Sequence, residues 1–460
     1  SRGCEMDYQE FLRQKQDYGS RSGFEPTFLP SYLFDFQKSI VEWAVRLGRA
    51  AIFADCGLGK TVQQLVWAQN IVEYTARPVL ILTPLAVSGQ TLDEAEKFGI
   101  EAYRADIRSN PTAIQVTNYE KLHHFDAANY AGIVCDESSI LKNFNGTRKA
   151  QITEFARRIP YRLLCTATAA PNDWIELGTS SEALGYMGYM DMLTRFFTRR
   201  QTYALSDRTS GRNEWDLKGH AQESFWRWVG SWARAARKPS DLGFPDNGFV
   251  LPELREHRTL IKAHKPRQGM LFDVPAVNFH EEREVTRRTI YERCETVARK
   301  VADNGGISMV WCHLNDESRT LKQMIPNSVE VMGSDSDDEK EAAARWFCRG
   351  SDTRRVLISK PTIFGFGLNF QHCNHMTYFP THSYEQYYQA TRRLWRFGQA
   401  RPVTVELIYT DGGEHMMDNL ERKGKAADRM FEDLVRFMGQ ALHIETDYQS
   451  NIVEVPGWMR

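Results

Sequence analysis

A short loop rich in glycine carries the clearest chemistry in this 460-residue sequence. The loop reads Ala54-Asp-Cys-Gly-Leu-Gly-Lys60-Thr61. Residues 50–54 form an apolar run of the length that a buried strand needs, and residues 62–74 carry apolar side chains at helical spacing. A strand, a glycine-bearing loop and a helix in this order predict a phosphate-binding loop. The alternative is a chance turn between a strand and a helix, because the first motif position is alanine rather than glycine.

The residue types inside the loop fit this chemistry. Gly57 and Gly59 let the backbone turn tightly and point successive N–H groups at one place, and the helix N-terminus adds positive partial charge. Lys60 would reach the β- and γ-phosphates of a nucleotide, and the Thr61 hydroxyl would coordinate Mg²⁺. The expected nucleotide contacts in this loop are Cys56, Gly57, Leu58, Gly59, Lys60 and Thr61.

Two adjacent acids follow a second apolar run. Residues 130–135 have the pattern of a buried strand, and Asp136 and Glu137 come directly after them. In enzymes with a phosphate loop, the acid at such a strand tip holds Mg²⁺, which here would be Asp136. Glu137 is placed to take a proton from the attacking water. A solvated acidic pair is the alternative, and the upstream loop favours the catalytic interpretation.

Two arginines in the last quarter of the sequence could complete the site. They lie in Gln389-Ala-Thr-Arg-Arg393-Leu-Trp-Arg396-Phe-Gly-Gln399. Arg393 and Arg396 are three residues apart, so on a helix they would share one face. Two guanidinium groups aimed across a cleft would neutralise charge that develops on the γ-phosphate, which can contribute on the order of 10³ to 10⁵ in rate. A surface cluster that only pairs with acids is the alternative.

The elements that must position these residues alternate between strand-like and helix-like runs. From residue 50 to 168 the alternation predicts a parallel α/β sheet covered on both faces. It lapses over residues 172–279 and resumes from residue 306, which predicts a second α/β domain. Within the lapse, aromatic residues are interleaved with arginines, as in Phe225-Trp-Arg-Trp228. Such a stretch either grips nucleic acid or buries its tryptophans against another helix.

An amphipathic helix is predicted just before the first strand, and it contains Phe36 and Gln37. An aromatic ring followed by glutamine could stack on a purine and read its edge. A single phenylalanine at such a position is more often part of a core. Its place ahead of the phosphate loop favours an adenine contact for both residues.

Composition limits the classes of protein to which the chain could belong. Apolar residues make up 42% of the chain and charged residues 25%, which is typical of globular domains. Lys and Arg total 58 against 59 Asp and Glu, so a nucleic-acid surface would have to be a local patch. None of the eight cysteines forms a C-x₂₋₄-C pair, which argues against structural zinc. With no signal peptide and no apolar run of membrane-spanning length, we expect a cytoplasmic protein.

With these pieces in place, the sequence resembles the superfamily-two helicases. Within them it is most similar to the Swi/Snf-like DNA translocases and to the compact helicases of phages and prophages. The resembling segments are the adenine-reading motif at residues 33–37, motif I at 54–61, motif Ia at 82–85, a nucleic-acid-contacting motif at 117–120, motif II at 136–143, motif III at 164–172, motif V at 365–369 and motif VI at 389–399. The resemblance to phage and prophage helicases implies a bacterial or phage-infected host cell. There are two departures from the family pattern: Ser138-Ser139 replaces the usual Ala-His, and Arg392 replaces a Gly or Asp.

The resemblance implies an α/β fold of two RecA-like parallel-sheet domains in tandem, with an ATP cleft between them and a mainly helical insertion or brace. It implies ATP and Mg²⁺ as ligands, nucleotide contacts from Gly367 and Asn369, and movement along DNA driven by ATP hydrolysis. The nucleic-acid contacts it implies are backbone-directed and come from Thr83, Thr117, Asn118, Lys360 and Thr362. Altered residues beside motifs II and VI affect the expected coupling between hydrolysis and movement.

The expected organisation is a lead-in over residues 1–30, a first RecA-like domain over 31–178, a mainly helical insertion and linker over 179–280, a second RecA-like domain over 281–411 and a helical extension over 412–460. We expect a monomer. An RNA-directed helicase and a nucleotide-regulated binding subunit are the alternative functions. The segment Gln268-Gly-Met-Leu-Phe272 resembles peptides that bind sliding clamps, and a linker packed on the second domain is the other interpretation.

Overall fold

The computed structural model describes residues 21–84, 87–105, 113–142, 146–168, 174–200, 214–262, 279–349, 352–364, 368–411 and 413–450. Its strands are β1 Arg49–Ala54, β2 Val79–Thr83, β3 Ala102–Arg104, β4 Ile114–Asn118, β5 Gly132–Asp136, β6 Tyr161–Thr166, β7 Phe197–Arg200, β8 Glu214–Leu217, β9 Ala233–Ala236, β10 Leu254–Ile261, β11 Ser308–Trp311, β12 Val329–Glu330, β13 Val356–Ser359, β14 His375–Tyr378 and β15 Val403–Thr410.

The α-helices are α1 Asp35–Leu47, α2 Lys60–Thr75, α3 Ser88–Lys97, α4 Gly146–Arg157, α5 Leu177–Leu184, α6 Tyr189–Phe196, α7 Gln222–Trp232, α8 Phe279–Arg288, α9 Ile290–Asn304, α10 Asn315–Met324, α11 Asp337–Arg349, α12 Pro361–Phe364, α13 Tyr384–Arg392 and α14 Glu414–Ser450. None of these helices is long and apolar enough to cross a membrane.

Two parallel sheets organise the chain. The first has the strand order β3-β4-β2-β5-β6-β1-β9 and the second has the order β10-β15-β14-β11-β13-β12. All pairings within both sheets are parallel, whereas β7 and β8 form a separate antiparallel pair. The predicted fold of two parallel α/β sheets in tandem is confirmed.

The central strands are apolar on both faces because helices cover both sides of each sheet. Along β1, Ala51 and Phe53 point into one core and Ile52 points into the other. In the second sheet Trp311 and Val310 divide in the same way. Alternation of side chains along a strand therefore produces two cores per sheet.

The stretch predicted as a mainly helical insertion contributes to both sheets. β9 pairs with β1 in the first sheet, and β10 pairs with β15 in the second. In α7 the rings of Phe225, Trp226 and Trp228 are buried in the first domain, so they serve as core rather than as a nucleic-acid surface. We propose that the first domain includes 233–236 and that the second begins at β10, which revises the predicted limits.

The long helix α14 joins the two domains. Near its start, Met417 and Leu420 pack in a core of the second sheet. Three turns further on, Phe431, Leu434 and Met438 pack in a core of the first. α14 therefore packs against both domains, at the side where β9 and β10 lie.

We expect Met438→Ala to lower the free energy of unfolding by about 2 to 5 kcal/mol, because this side chain is only 1% exposed and its loss leaves a cavity. Urea unfolding followed by tryptophan fluorescence measures the change. Met190→Ala is the matched control, since Met190 is 63% exposed and its loss should cost less than about 0.5 kcal/mol. Equal effects of the two substitutions would contradict the docking of α14 on the first domain.

Candidate functional site

The predicted phosphate loop lies between β1 and α2, which begins at Lys60. Gly57 and Gly59 have φ angles of +93° and +77°, in the left-handed region that favours glycine. A Cβ at Gly57 would lie 2.8 Å from the backbone nitrogen of Phe397 in the second domain. The loop therefore needs glycine both for its turn and for the close approach of the other domain. Lys60 Nζ donates to the Ala54 carbonyl at 2.8 Å.

The predicted acid pair lies at the carboxyl end of β5. Gln64 Nε2, on α2, donates to Asp136 Oδ1 at 2.6 Å. Burial raises the pKa of Asp136 to about 6, and the charge of Glu137 adds to this effect. Glu137 has a φ of +48°, which is uncommon outside glycine, and its Oε2 accepts a hydrogen bond from Thr166 Oγ1 at 3.3 Å. The acids and the loop thus meet at one edge of the first sheet.

The predicted arginines come from the second domain and reach the same loop. α13 ends at Arg392, so Arg393 and Arg396 lie in the turns that follow it, and the expected shared helix face is wrong. Arg393 is 2% exposed, and its Nη2 lies 3.7 Å from Cys56 Sγ. Burial lowers the pKa of Arg396, and the charge of Arg393 adds to this effect. Among the described residues, Arg396 Nε has no hydrogen-bond partner.

Glu94 is a member of this cluster that carries no sequence signal. It lies on α3, outside the motifs, and its carboxylate interacts with the Thr61 hydroxyl and with the charge of Arg396. Burial raises the pKa of Glu94, while the Gln90 hydrogen bond and the Arg396 charge oppose this effect. The predicted metal-binding Thr61 and the predicted catalytic Arg396 therefore share a partner that only the folded structure identifies.

A row of polar side chains connects the acid pair to the second domain. Thr166 Oγ1 accepts from the Thr168 backbone N–H at 3.0 Å and donates to Glu137. Gln389 Nε2 donates to Thr168 Oγ1 at 3.3 Å, and Gln389 Oε1 accepts from Arg393 Nη2 at 2.7 Å. The row runs from the proposed base to the proposed arginine finger without a gap.

Known proteins are similar to this chain at low sequence identity. No family model matches the chain. The human DNA annealing helicase and endonuclease ZRANB3 is 22% identical over 451 residues, which cover 85% of this chain and 39% of that protein. The Sulfolobus solfataricus SWI2/SNF2 ATPase core in complex with dsDNA has a TM-score of 0.40 and 16% identity, covering 90% of this chain and 96% of that one. Dbp5 of S. cerevisiae bound to RNA and ADP BeF3 has a TM-score of 0.53 and 12% identity, covering 88% and 98%.

The match to Dbp5 shows that the two sheets have the tandem RecA-like fold. The sequence match to ZRANB3 supports the predicted resemblance to Swi/Snf-like proteins. The chain spans about two fifths of the length of ZRANB3. The resemblance to helicases of phages and prophages stays a prediction.

The residues predicted to contact adenine have partners within the protein. Phe36 is 2% exposed, and its ring packs edge-on against Phe249 at 5.1 Å. Gln37 Nε2 donates to the Leu58 carbonyl at 3.0 Å, and Gln37 Oε1 accepts from the Phe34 backbone N–H at 3.0 Å. Gln37 therefore fixes the loop backbone, and an adenine contact by either residue stays a prediction.

The predicted motif V contacts are only partly within the described residues. Gly367 lies outside them. Asn369 Oδ1 accepts from the Gln371 backbone N–H at 3.3 Å, and its carbonyl lies 3.5 Å from Cys348 Sγ. A role of either residue at the nucleotide stays a prediction.

The residues predicted to contact nucleic acid lie at strand ends of both sheets. Thr83 is the last residue of β2, Thr117 and Asn118 are the last two of β4, and all three are at most 5% exposed. The hydroxyl of Thr83 shares a hydrogen bond with Ser88 at 2.8 Å, so it shapes the sheet edge.

The second domain presents its predicted contacts more openly. Lys360 Nζ donates to Asn315 Oδ1 at 2.7 Å, at the end of β13, and Thr362 is exposed on α12. The five nucleic-acid contacts stay predictions, and Lys360 and Thr362 are the ones that a ligand can reach without rearrangement.

We expect Asp136→Asn to stabilise the fold at neutral pH, because it removes a buried charge and keeps an acceptor for Gln64. A group whose folded pKa is raised, here to about 6, stabilises the fold below its unfolded pKa and loses that effect as pH rises through the folded value. Urea unfolding without metal should show a gain on the order of 2 kcal/mol at pH 7.5 and little change at pH 4. Equal gains at both pH values would contradict the buried charge as the cause.

Proposed function

We propose that the chain is a Swi/Snf-like, ATP-dependent DNA helicase or translocase that hydrolyses ATP between its two RecA-like domains. The observation that carries the proposal is the contact between the Arg393 and Cys56 side chains, which brings the second domain's arginines onto the first domain's phosphate loop. A nucleotide bound at that loop would therefore be contacted by both domains. The name of the human relative, a DNA annealing helicase, supports DNA as the polymer.

The residues present fit ATP with Mg²⁺. The glycine turns let the loop backbone curve around a phosphate, and Lys60 lies at the start of α2, where the helix dipole also attracts anions. The Asp136 carboxylate and the Thr61 hydroxyl are oxygen ligands of the type that Mg²⁺ prefers. A bound Mg²⁺ would neutralise charge on the transferring phosphoryl group. The cation would also favour the ionised form of Asp136.

Glu137 would orient the attacking water and accept its proton. The side-chain hydroxyl of Thr166 holds one oxygen of that carboxylate, which leaves the other for the water. Arg393 and Arg396 would neutralise the charge that develops on the γ-phosphate. Because Arg396 Nε lacks a partner among the described residues, it has a hydrogen bond to offer to that phosphate.

Hydrolysis would be coupled to movement through the polar row between the domains. The row joins Glu137 to Gln389 through two threonine side chains, so a change at the γ-phosphate alters contacts at the domain boundary. Ser139 replaces the family histidine, and its Oγ lies 3.4 Å from Thr168 Oγ1. The serine therefore joins the row in place of the missing imidazole. Sequence-independent contacts with the phosphate backbone would let each cycle advance the protein along the strand.

Two alternatives compete with DNA translocation. An RNA-directed helicase has the same fold, as the match to Dbp5 illustrates, and the Leu141-Lys-Asn143 tail of motif II favours DNA. A nucleotide-regulated binding subunit would hydrolyse ATP without movement. The further proposals are a monomeric state, a cytoplasmic location and an origin among phages or prophages. The clamp-binding segment Gln268 to Phe272 lies outside the described residues and stays a prediction.

We expect Lys60→Ala and Glu137→Gln to reduce ATP turnover to background, because they remove the phosphate ligand and the base. Arg396→Ala should keep ATP affinity within about threefold and lower kcat by on the order of 10³, since the finger acts on developing charge. Steady-state kinetics and nucleotide binding measure both quantities. Normal turnover in Glu137→Gln, or a loss of affinity alone in Arg396→Ala, would contradict these roles.

We expect DNA to raise the ATPase rate at least about tenfold at low salt and to do so less at high salt, because backbone contacts release counterions. The measurement compares no polymer, single-stranded DNA, duplex DNA and RNA at two salt concentrations. Stronger stimulation by RNA would favour the RNA-directed alternative. A flat response to all three polymers would favour the nucleotide-regulated binding subunit.

A further inference from the structure

A buried ion pair crosses the cleft beside the proposed ATP site. Asp55 lies in the phosphate loop, and Arg392 is the last residue of α13. Arg392 Nη2 lies 2.7 Å from Asp55 Oδ2, and the side chains are 8% and 2% exposed. Tyr388, one turn earlier on α13, donates its hydroxyl proton to Asp55 Oδ1 at 2.7 Å. One carboxylate of the first domain therefore holds two side chains of the second.

Neighbouring groups fix both partners of this pair. The backbone N–H of Cys56 donates to Asp55 Oδ1 at 2.7 Å, which ties the carboxylate to the loop. The Arg392 guanidinium lies 4.3 Å from the ring centroid of Trp395 and 5.2 Å from that of Tyr388. Burial lowers the pKa of Arg392, and the Asp55 charge more than reverses this effect. The geometry specifies a charged pair with little freedom on either side.

Other ion pairs across the cleft are exposed. Arg104 lies 2.9 Å from Glu341 and Arg349 lies 3.9 Å from Asp93, and three of these four side chains are more than half exposed. Exposed pairs contribute little to stability because solvent screens them. A buried pair differs, since removing one partner leaves an uncompensated charge in a low dielectric. The Asp55–Arg392 pair therefore constrains how the domains meet far more than the exposed pairs do.

The position of Arg392 in the chain links the ion pair to the two proposed arginine fingers. Arg393 follows it directly, and Arg396 lies one turn further on. Fixing Arg392 on Asp55 therefore fixes where both proposed fingers lie relative to Cys56. The family pattern has glycine or aspartate at this position, neither of which could pair with Asp55.

We propose that Asp55, Arg392 and Tyr388 form an interdomain latch, a set of positioning residues that seats Arg393 and Arg396 on the phosphate loop before nucleotide binds. The latch rests on the proposed function for its effect on turnover, but its effect on domain closure does not depend on hydrolysis. Opening the cleft separates the pair and returns both charges to water. Closure therefore has a specific register rather than a range of domain angles.

The test measures closure and turnover separately, in the full chain. Dyes attached at Glu154 and Asp303, which are exposed on the first and second domains, report domain closure by energy transfer without nucleotide. We expect Arg392→Gln and Asp55→Asn each to lower the transfer efficiency. Each should lower kcat by at least about tenfold while KM for ATP changes less than about threefold, because the fingers act on developing charge. The double variant should be no worse than either single variant.

Two further variants calibrate the result. Arg104→Gln is the matched control, since it removes an exposed arginine that crosses the same cleft, and it should change neither readout. Arg392→Lys keeps the charge but loses the planar fork, so it should recover part of the lost closure and turnover and also serves if Arg392→Gln fails to fold.

Three outcomes decide the proposal. Unchanged energy transfer in Arg392→Gln and Asp55→Asn, whatever their turnover, would overturn the latch. Strictly additive losses of kcat in the double variant would also overturn it. A wild-type chain that shows no ATPase while Arg392→Gln still loses energy transfer would instead refute the proposed function and leave the latch standing.

Discussion

The concentration of charge at the cleft is the constraint on which the rest of this structure depends. Lys60, Arg392, Arg393 and Arg396 converge where Asp55, Glu94, Asp136 and Glu137 also lie. Burying that many charges is unfavourable unless each finds a partner. Asp55 pairs with Arg392, Glu94 interacts with Thr61 and Arg396, and Gln64 holds Asp136. A bound phosphate would enter a site whose positive charges are already positioned.

The sheets make this convergence possible. In a parallel sheet the carboxyl ends of all strands lie at one edge. Residues that are distant in sequence but follow these strands are therefore brought close together by the sheet itself. This is why the positions of the phosphate loop and the acid pair could be predicted from the sequence. Each followed a strand-length apolar run, and the run itself is a local signal. The stability of the site comes from the four cores that flank the two sheets.

What could not be predicted depends on tertiary context. β9 is four residues long, Ala-Arg-Ala-Ala, and a sequence so short and charged gives no strand signal until β1 lies beside it. Glu94 belongs to no motif, and only the packing of α3 brings it to Thr61. Phe36 packs against Phe249, a contact that no pattern in the sequence links to it. The contact of Arg393 with Cys56 forms although α13 ends before Arg393, so helical spacing is not its cause.

The long helix α14 connects the two domains at one side of the cleft. The helix is continuous and anchored in cores of both domains, and it contacts the first sheet near β9, at one end of the strand order. Arg258 of β10, an edge strand of the second sheet, lies 3.8 Å from Glu421 of the same helix. The exposed pair between Arg104 and Glu341 involves β3, at the far end of the first sheet. α14 and the Arg104–Glu341 pair therefore connect the two domains at opposite ends of the first sheet. Asp55 follows β1, next to β9, so its buried pair with Arg392 lies nearer to α14 than the exposed pair does, and the arginines leave the phosphate loop only when this buried pair separates.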